Sequence, residues 1–231
     1  LIVDKKNFKF FGTAQDHKRV GNNDTGPNTG GMGAYSPSPI FNKELENKII
    51  KRIVKPTLLA LKKKKKNYTG FLYVGLMVKN NEPYLIEYNV RMGDPECQVI
   101  IPRLETDILK IFKKLTANRL DKIKIKWKKS KCMTIVLCAK GYPKKYQKDI
   151  KIKNLKKIKE RKNLFIFHAG TKLLNGEYFS VGGRVLNFTA LGSKFLTIRK
   201  NILRIIKNLN WKKGFYRKDI GWRAIKNNAN Y

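Results

Sequence analysis

The chain has 231 residues, 42% of them hydrophobic, which is enough to bury a real core and too many for a disordered tail. No apolar run is long enough to span a bilayer and no signal peptide is visible, while Cys97, Cys132 and Cys138 form no CxxC pair and suit a reducing, cytosolic setting better than a zinc site. Lys and Arg outnumber Asp and Glu 52 to 16, net +36, but the excess is mostly Lys spread from end to end, as an AT-rich genome would give, so neither a specific nucleic-acid partner nor a membrane partner is expected.

Leu1–Asp4 reads as a strand already under way, so the N-terminus is taken as a cut in a longer chain. With Phe8–Thr13 it predicts a hairpin around Lys5-Lys6-Asn7. Asp16 to Pro39 cannot be helix: turn formers crowd around Gly26, Gly30, Gly31 and Gly33, and a long irregular stretch in a compact domain is usually functional or disordered. Asn42 is a predicted N-cap for a helix carrying Leu45, Ile49, Ile50, Ile53 and Val54, kinked or broken at Pro56. Phe71–Val78 and Pro83–Val90 are predicted strands around the tight turn Asn80-Asn81-Glu82. Ile108, Ile111, Phe112 and Leu115 mark a helix ending near Asn118.

The Lys-rich segment from Asp121 to Ser130 is the expected boundary between two parts, residues 1–120 and 121–231. Beyond it, Cys132–Gly141 reads as a buried strand and Leu164–Thr171 as another. Asn175-Gly176 is a hairpin turn, Arg184–Gly192 a strand, and Phe195, Ile198, Ile202, Ile205 and Leu209 the face of a closing helix. The fold class is α+β, with antiparallel strands and helices packed on one side.

Three segments carry chemistry. In Glu87-Tyr88-Asn89, period-two geometry sends Glu87 and Asn89 to one strand face, and a carboxylate with an amide oxygen suits Mg²⁺, which keeps waters and takes substrate phosphates. Arg91 is expected to continue that face as a bidentate phosphate clamp, with Gly93 freeing the backbone and Asp94 and Glu96 adding acceptors. The plain alternative is an edge strand with a polar outer face, although in so Lys-rich a chain that face would be expected to carry Lys. In Gly26–Pro37, successive glycines let backbone N–H groups point into one anion-binding concavity. No GK[ST] follows, so it is not a Walker loop, and a flexible loop is the alternative. Asp16, His17, Lys18 and Arg19 precede it, with His17 read as a positioning or solvated residue. His168, in His168–Thr171 ahead of Gly182–Leu186, is read as a satisfied core histidine.

Taken in order, AQDHKR, GPNTGGMGAYSP, EYNVRMGDPE, HAGT, GGRVL and YRKDIGWRA resemble the phosphoribosylamine–glycine ligase family of the ATP-grasp superfamily, from about Gln15 to the end. The resemblance implies the second half of an ATP-grasp domain (residues 1–120) followed by a small α+β C-terminal domain (121–231). It implies an ATP-binding, cytoplasmic ligase of purine biosynthesis, joining glycine to 5-phosphoribosylamine through a glycyl phosphate. Mg²⁺ or Mn²⁺ would be held by Glu87 and Asn89. Arg91 and Asp94 would be catalytic: the first would hold the transferring phosphate, the second would orient the amine. Asn28, Thr29, Gly30, Gly31, Met32 and Gly33 would cradle the phosphoribosyl group, with Asp16 and Lys18 lining the cleft. The family's N-terminal domain and first ATP-grasp lobe are not in these residues, so the 231 residues alone are expected to be inactive and that region of the same enzyme is an implied partner. Phe71–Val78 also lacks the extra acidic ligand many ATP-grasp enzymes place on the neighbouring strand. Another ATP-grasp ligase, with a different carboxylate and amine, remains the alternative.

Overall fold

The computed structural model describes residues 1–159 and 161–227. In chain order the strands are β1 Ile2–Val3, β2 Phe8–Lys9, β3 Gln15–Asp16, β4 Gly33–Ser36, β5 Gly70–Phe71, β6 Tyr73–Lys79, β7 Glu82–Asn89, β8 Lys131–Ala139, β9 Ile150–Lys151, β10 Leu164–His168, β11 Thr171–Leu174, β12 Glu177–Ser180, β13 Arg184–Gly192 and β14 Gly214–Phe215. The helices are α1 Lys43–Ile49, α2 Lys55–Lys63, α3 Cys97–Ile100, α4 Ile108–Thr116, α5 Phe195–Leu209 and α6 Trp222–Asn227. Among the described residues all strand pairings are antiparallel, so the structure is α+β as expected.

The chain forms two compact units that interleave along the sequence: Leu1–Thr13, Pro37–Gly93 and Leu104–Lys128 make the first, and Ala14–Ser36, Asp94–Arg103 and Lys129–Tyr231 the second.

In the first unit, β1 pairs with both β2 and β5, and the predicted hairpin around Lys5-Lys6-Asn7 forms. Asn42 caps α1 by accepting from the Leu45 N–H at 2.8 Å. As expected, the helix changes at Pro56: Ile50–Val54 winds as a π-helix and a second α-helix, α2, follows with Pro56 in its first turn. Leu45, Ile49 and Val54 form a buried cluster against which Leu76 and Val78 of β6 pack. The β6–β7 turn is tighter than expected: Asn80 and Asn81, at φ 52° and 58°, make the whole turn, and Glu82 already belongs to β7. Asp107 caps α4 through the N–H groups of Leu109 and Lys110 at 2.7 and 3.2 Å.

In the second unit, the sheet order is β10-β13-β8-β4-β3, with β14 beside the far end of β8. The stretch expected to be irregular supplies a strand to this sheet: Gly33–Ser36 is fully buried and pairs with Ile135 to Cys132 of β8. Its Gly-rich approach hid a strand whose side chains, Ala34, Tyr35 and Ser36, are small or tied down, with the Tyr35 hydroxyl bonding Gln15. A single 3₁₀ turn, Asn22–Asp24, also lies there. Leu164–Thr171 is not one strand. It ends at His168, where Ala169 and Gly170 bond the Val185 carbonyl and the chain turns into β11 of a separate three-stranded sheet. α5 buries Phe195, Ile198, Ile202, Ile206 and Leu209; Ile206, rather than Ile205, completes the 3-4-4-3 spacing. None of the described helices is long and apolar enough to cross a membrane.

Candidate functional site

The motif Glu87–Glu96 passes from the first unit to the second between Gly93 and Asp94, so its two parts stand on different frameworks.

In the first unit, Glu87 pairs with Gly75 across the hairpin and Asn89 with Tyr73. A bulge at Gly75/Leu76 shifts the register just before them, leaving both on the face opposite Tyr88, whose hydroxyl meets Thr57 of α2. Glu87 is exposed and Asn89 half-buried. A Cβ on Gly75 would lie 2.9 Å from Glu87 Cγ, so the glycine gives the carboxylate stem its bed. Arg91 does not continue this face. The strand ends at Asn89, the chain bends at Val90 and Arg91, and Arg91 is exposed with Nη1 donating to the Met92 carbonyl at 2.8 Å. Among the described residues no three His, Cys, Asp or Glu side chains gather as a closed metal cage. Two oxygen donors on one open face fit the sparse protein shell of a Mg²⁺ that keeps waters and bridges phosphates.

In the second unit, the glycine loop is not an open nest of N–H groups. The Thr29 and Met32 N–H groups donate to the carbonyls of Lys18 and His17, Gly31 N–H to Thr29 Oγ1 at 3.0 Å, and Gly30 N–H to the Tyr142 hydroxyl at 2.9 Å. Met32 is a core side chain, wholly buried with Met133, Ile135 and Cys138, and Gly33 is locked into the sheet against Thr134. Gly31, at φ 114°, adopts a conformation side chains rarely take, and a Cβ there would meet Pro95 Cδ at 2.5 Å. Asn28, Thr29 and Gly30 remain as the solvent-facing rim. Asp16 and Lys18 pair with each other at 2.7 Å. Asp94 is 44% exposed, accepts from Gln98 Nε2 at 3.0 Å, and is gripped on both oxygens by Arg184.

Beneath the loop lies an ionic cluster absent from the sequence reading. Arg217, only 1% exposed, forks onto both oxygens of Asp219 at 2.8 and 2.7 Å and donates to Asp24 Oδ1 at 2.8 Å and the Arg19 carbonyl at 3.0 Å. Arg223 donates to Asp24 Oδ2 at 2.6 Å, and Asp219 accepts from the Asn23 N–H. Burial raises the Asp24 pKa, but the Arg217 hydrogen bond and the charges of Arg223 and Arg217 outweigh it and hold the carboxyl at about 2. His17 is buried, so it is positioning rather than solvated. Its Nε2 accepts the Gly221 N–H at 2.9 Å, which puts the proton on Nδ1, facing Asp24 at 3.4 Å. Burial, then the Arg217 charge, lowers its pKa to about 4. His168, by contrast, is exposed, with Nδ1 2.7 Å from Thr171 Oγ1; it is not a core residue. The sequence signal for Arg217, Asp219 and Arg223 is the mixed charge of YRKDIGWRA; Asp24, in the turn-rich stretch before the glycine loop, carries no such signal.

The fold has known counterparts. A solved Thermotoga maritima phosphoribosylamine–glycine ligase superposes with TM-score 0.77 at 31% identity, covering 94% of this chain and 53% of that one. The biotin carboxylase domain of a thermophilic 2-oxoglutarate carboxylase, at 14% identity and TM-score 0.56, shares the fold alone, over 85% of this chain and 42% of that one. A family model of an ATP-grasp domain matches as well, so the fold is that of the ATP-grasp enzymes. Residues 1–97 match the phosphoribosylglycinamide synthetase ATP-grasp (A) domain and residues 132–223 its C domain. The phosphoribosylamine–glycine ligase of Brucella melitensis is 42% identical over 224 residues, 97% of this chain and 52% of the relative. The chloroplastic one of Arabidopsis thaliana is 43% identical over 229 residues, 97% of this chain and 43% of the relative. The chain belongs to the phosphoribosylglycinamide synthetase family, and spans about half the length of the curated relatives it matches.

Proposed function

We propose that this chain is part of an ATP-dependent ligase joining glycine to 5-phosphoribosylamine in purine biosynthesis, in a reducing, cytoplasmic setting. What carries the reading is the pair Glu87 and Asn89 on one open strand face over Gly75, in a chain whose family is shown. Residues 1–120 would contribute the ATP-grasp part and 121–231 the C-terminal domain. ATP would pass its γ-phosphoryl to the glycine carboxylate, giving glycyl phosphate and ADP. The phosphoribosylamine nitrogen would then attack the acyl carbon, lose a proton and expel phosphate. Such chemistry needs positioning and charge neutralisation more than covalent help from the protein.

Glu87 and Asn89 would hold Mg²⁺ or Mn²⁺, which neutralises phosphate charge when bound. Arg91, exposed at the strand end, would leave the Met92 carbonyl to meet the transferring phosphate. Asp94, fixed by Arg184, would accept a hydrogen bond from the amine and orient it. Asn28, Thr29 and Gly30 would meet the phosphoribosyl group, with Asp16 and Lys18 alongside. Gly31, Met32 and Gly33 would hold the loop's shape from behind. The 231 residues alone would not turn over, since the relatives are about twice as long.

Two measurements test this. Titrating Mn²⁺ into isotope-labelled chain should broaden the amide resonances around Glu87 and Asn89, and Glu87→Gln should abolish the effect; equal broadening in the variant refutes the ligand pair. A ligation assay with ATP, glycine and phosphoribosylamine should give no product with the 231 residues, and product would refute their inactivity.

A further inference from the structure

Arg184 sits at the start of β13, 22% exposed, and makes four hydrogen bonds into two different motifs of the second unit. Nη1 donates to the Gly30 carbonyl at 2.7 Å, to the Asp94 carbonyl at 2.9 Å and to Asp94 Oδ1 at 3.3 Å, while Nη2 donates to Asp94 Oδ2 at 3.1 Å. The guanidinium also lies flat on Gly30: a Cβ there would stand 2.9 Å from Cζ and 3.1 Å from Nε and Nη2. On the other side of the loop, Gly31 is pressed against Pro95, the residue after Asp94. Gly30 therefore lacks a side chain because Arg184 occupies its place, and Gly31 lacks one because Pro95 does. The Tyr142 hydroxyl completes the hold by accepting the Gly30 N–H.

We propose that Arg184 is a positioning residue that fastens the glycine loop to Asp94, so that the loop rim and the carboxylate meet ligand as one preset pair. A planar fork spans these acceptors: the two N–H groups of Nη1 are shared among the Gly30 carbonyl, the Asp94 carbonyl and Asp94 Oδ1, while Nη2 reaches Asp94 Oδ2, so a lysine, with a single nitrogen, would keep part of the set and lose the two-nitrogen grip on the carboxylate. Asp94 Oδ1 accepts from both Arg184 and Gln98, whereas Oδ2 accepts from Arg184 alone and keeps a lone pair for a donor such as an amine. The functional half of this inference rests on the proposed ligation; the structural half does not.

The test is amide hydrogen exchange on the 231-residue chain with Arg184→Ala and Arg184→Lys. Gly30 and Gly31 should exchange about ten-fold faster in R184A and by an intermediate factor in R184K, while the Val136 amide, which bonds the Met32 carbonyl, stays unchanged. Exchange at Gly30 and Gly31 equal to wild type in R184K, the gentler variant, overturns the proposal even if R184A does not fold. In a ligation assay of the active enzyme, R184K should raise KM for phosphoribosylamine about ten-fold and leave kcat and the KM values for ATP and glycine within about two-fold. A change confined to kcat or to ATP overturns it. If the longer enzyme of which this chain is proposed to be part ligates nothing, the proposed function falls, and the exchange experiment still decides whether Arg184 is the fastener.

Discussion

The β6–β7 hairpin and the glycine loop bear the two most legible motifs of the chain, and they are built on opposite plans. On the hairpin, Glu87 and Arg91 are exposed and Asn89 is half-buried, on a two-stranded sheet whose other face is packed. In the loop, the N–H groups of Thr29 to Met32 are all engaged, and an ionic cluster built around the buried Arg217 lies underneath. The hairpin presents its polar groups to solvent with few partners of their own. The loop is organised before any ligand arrives, and its stability is bound up with that organisation. Substitutions in the loop's support should therefore damage the fold, whereas those on the hairpin should damage binding and leave the fold alone.

The largest effect should come from Arg217→Ala. It leaves Asp24 and Asp219 without their shared buried cation, a loss of about 3–5 kcal/mol in urea unfolding. A loss under about 1 kcal/mol would place the loop on the same plan as the hairpin. Acid should act next, in two stages. His17 has its pKa lowered from 6.5 to about 4, so its contribution is full above 6.5 and lost as pH falls toward 4. At the ordinary scale of such shifts that is about 3 kcal/mol. Asp24, held at about 2, loses its contribution between about 4 and 2. The unfolding midpoint should fall in both windows, and His17→Gln should flatten the first alone.

Gly31→Ala is a smaller blow, about 2 kcal/mol, from backbone strain at φ 114° and the collision with Pro95, read by thermal unfolding. Smallest in stability is Glu87→Gln, within about 0.5 kcal/mol of wild type because the residue is exposed, although it should abolish the Mn²⁺ effect. If instead it unfolds the chain, the contrast between hairpin and loop is broken.

Elements governed by local pattern were readable in advance. The Asn42 cap, the Asn80-Asn81 turn, the apolar run of β8 and most of the α5 face follow from spacing and turn chemistry. Glu87 and Asn89 share a face because residues two apart do so along a regular stretch of strand, and the bulge falls before them. What escaped was set by partners distant in sequence. Nothing local says that Gly33–Ser36 will be a strand, because its reason is β8, about a hundred residues on. Met32 looked like part of a cradle since its burial depends on Met133 and Cys138. Arg91 was misplaced by extending a strand that ends at Asn89, and the Arg217 cluster was invisible because Asp24 and Arg217 stand 193 positions apart.

The placement of β4 bears on how this chain can be cut. Along Cys132–Ile135, β8 has β13 on one side and β4 on the other, and β4 comes from the Ala14–Ser36 segment rather than from the residues after Lys129. A polypeptide starting at Lys129 would keep the helix α5 and most of the sheet but leave that stretch of β8 as a bare, apolar edge. Unpaired edges of this kind recruit strands from other molecules. Such a truncation should be recovered as aggregate or dimer, and adding Ala14–Ser36 as a separate peptide should return it to solution.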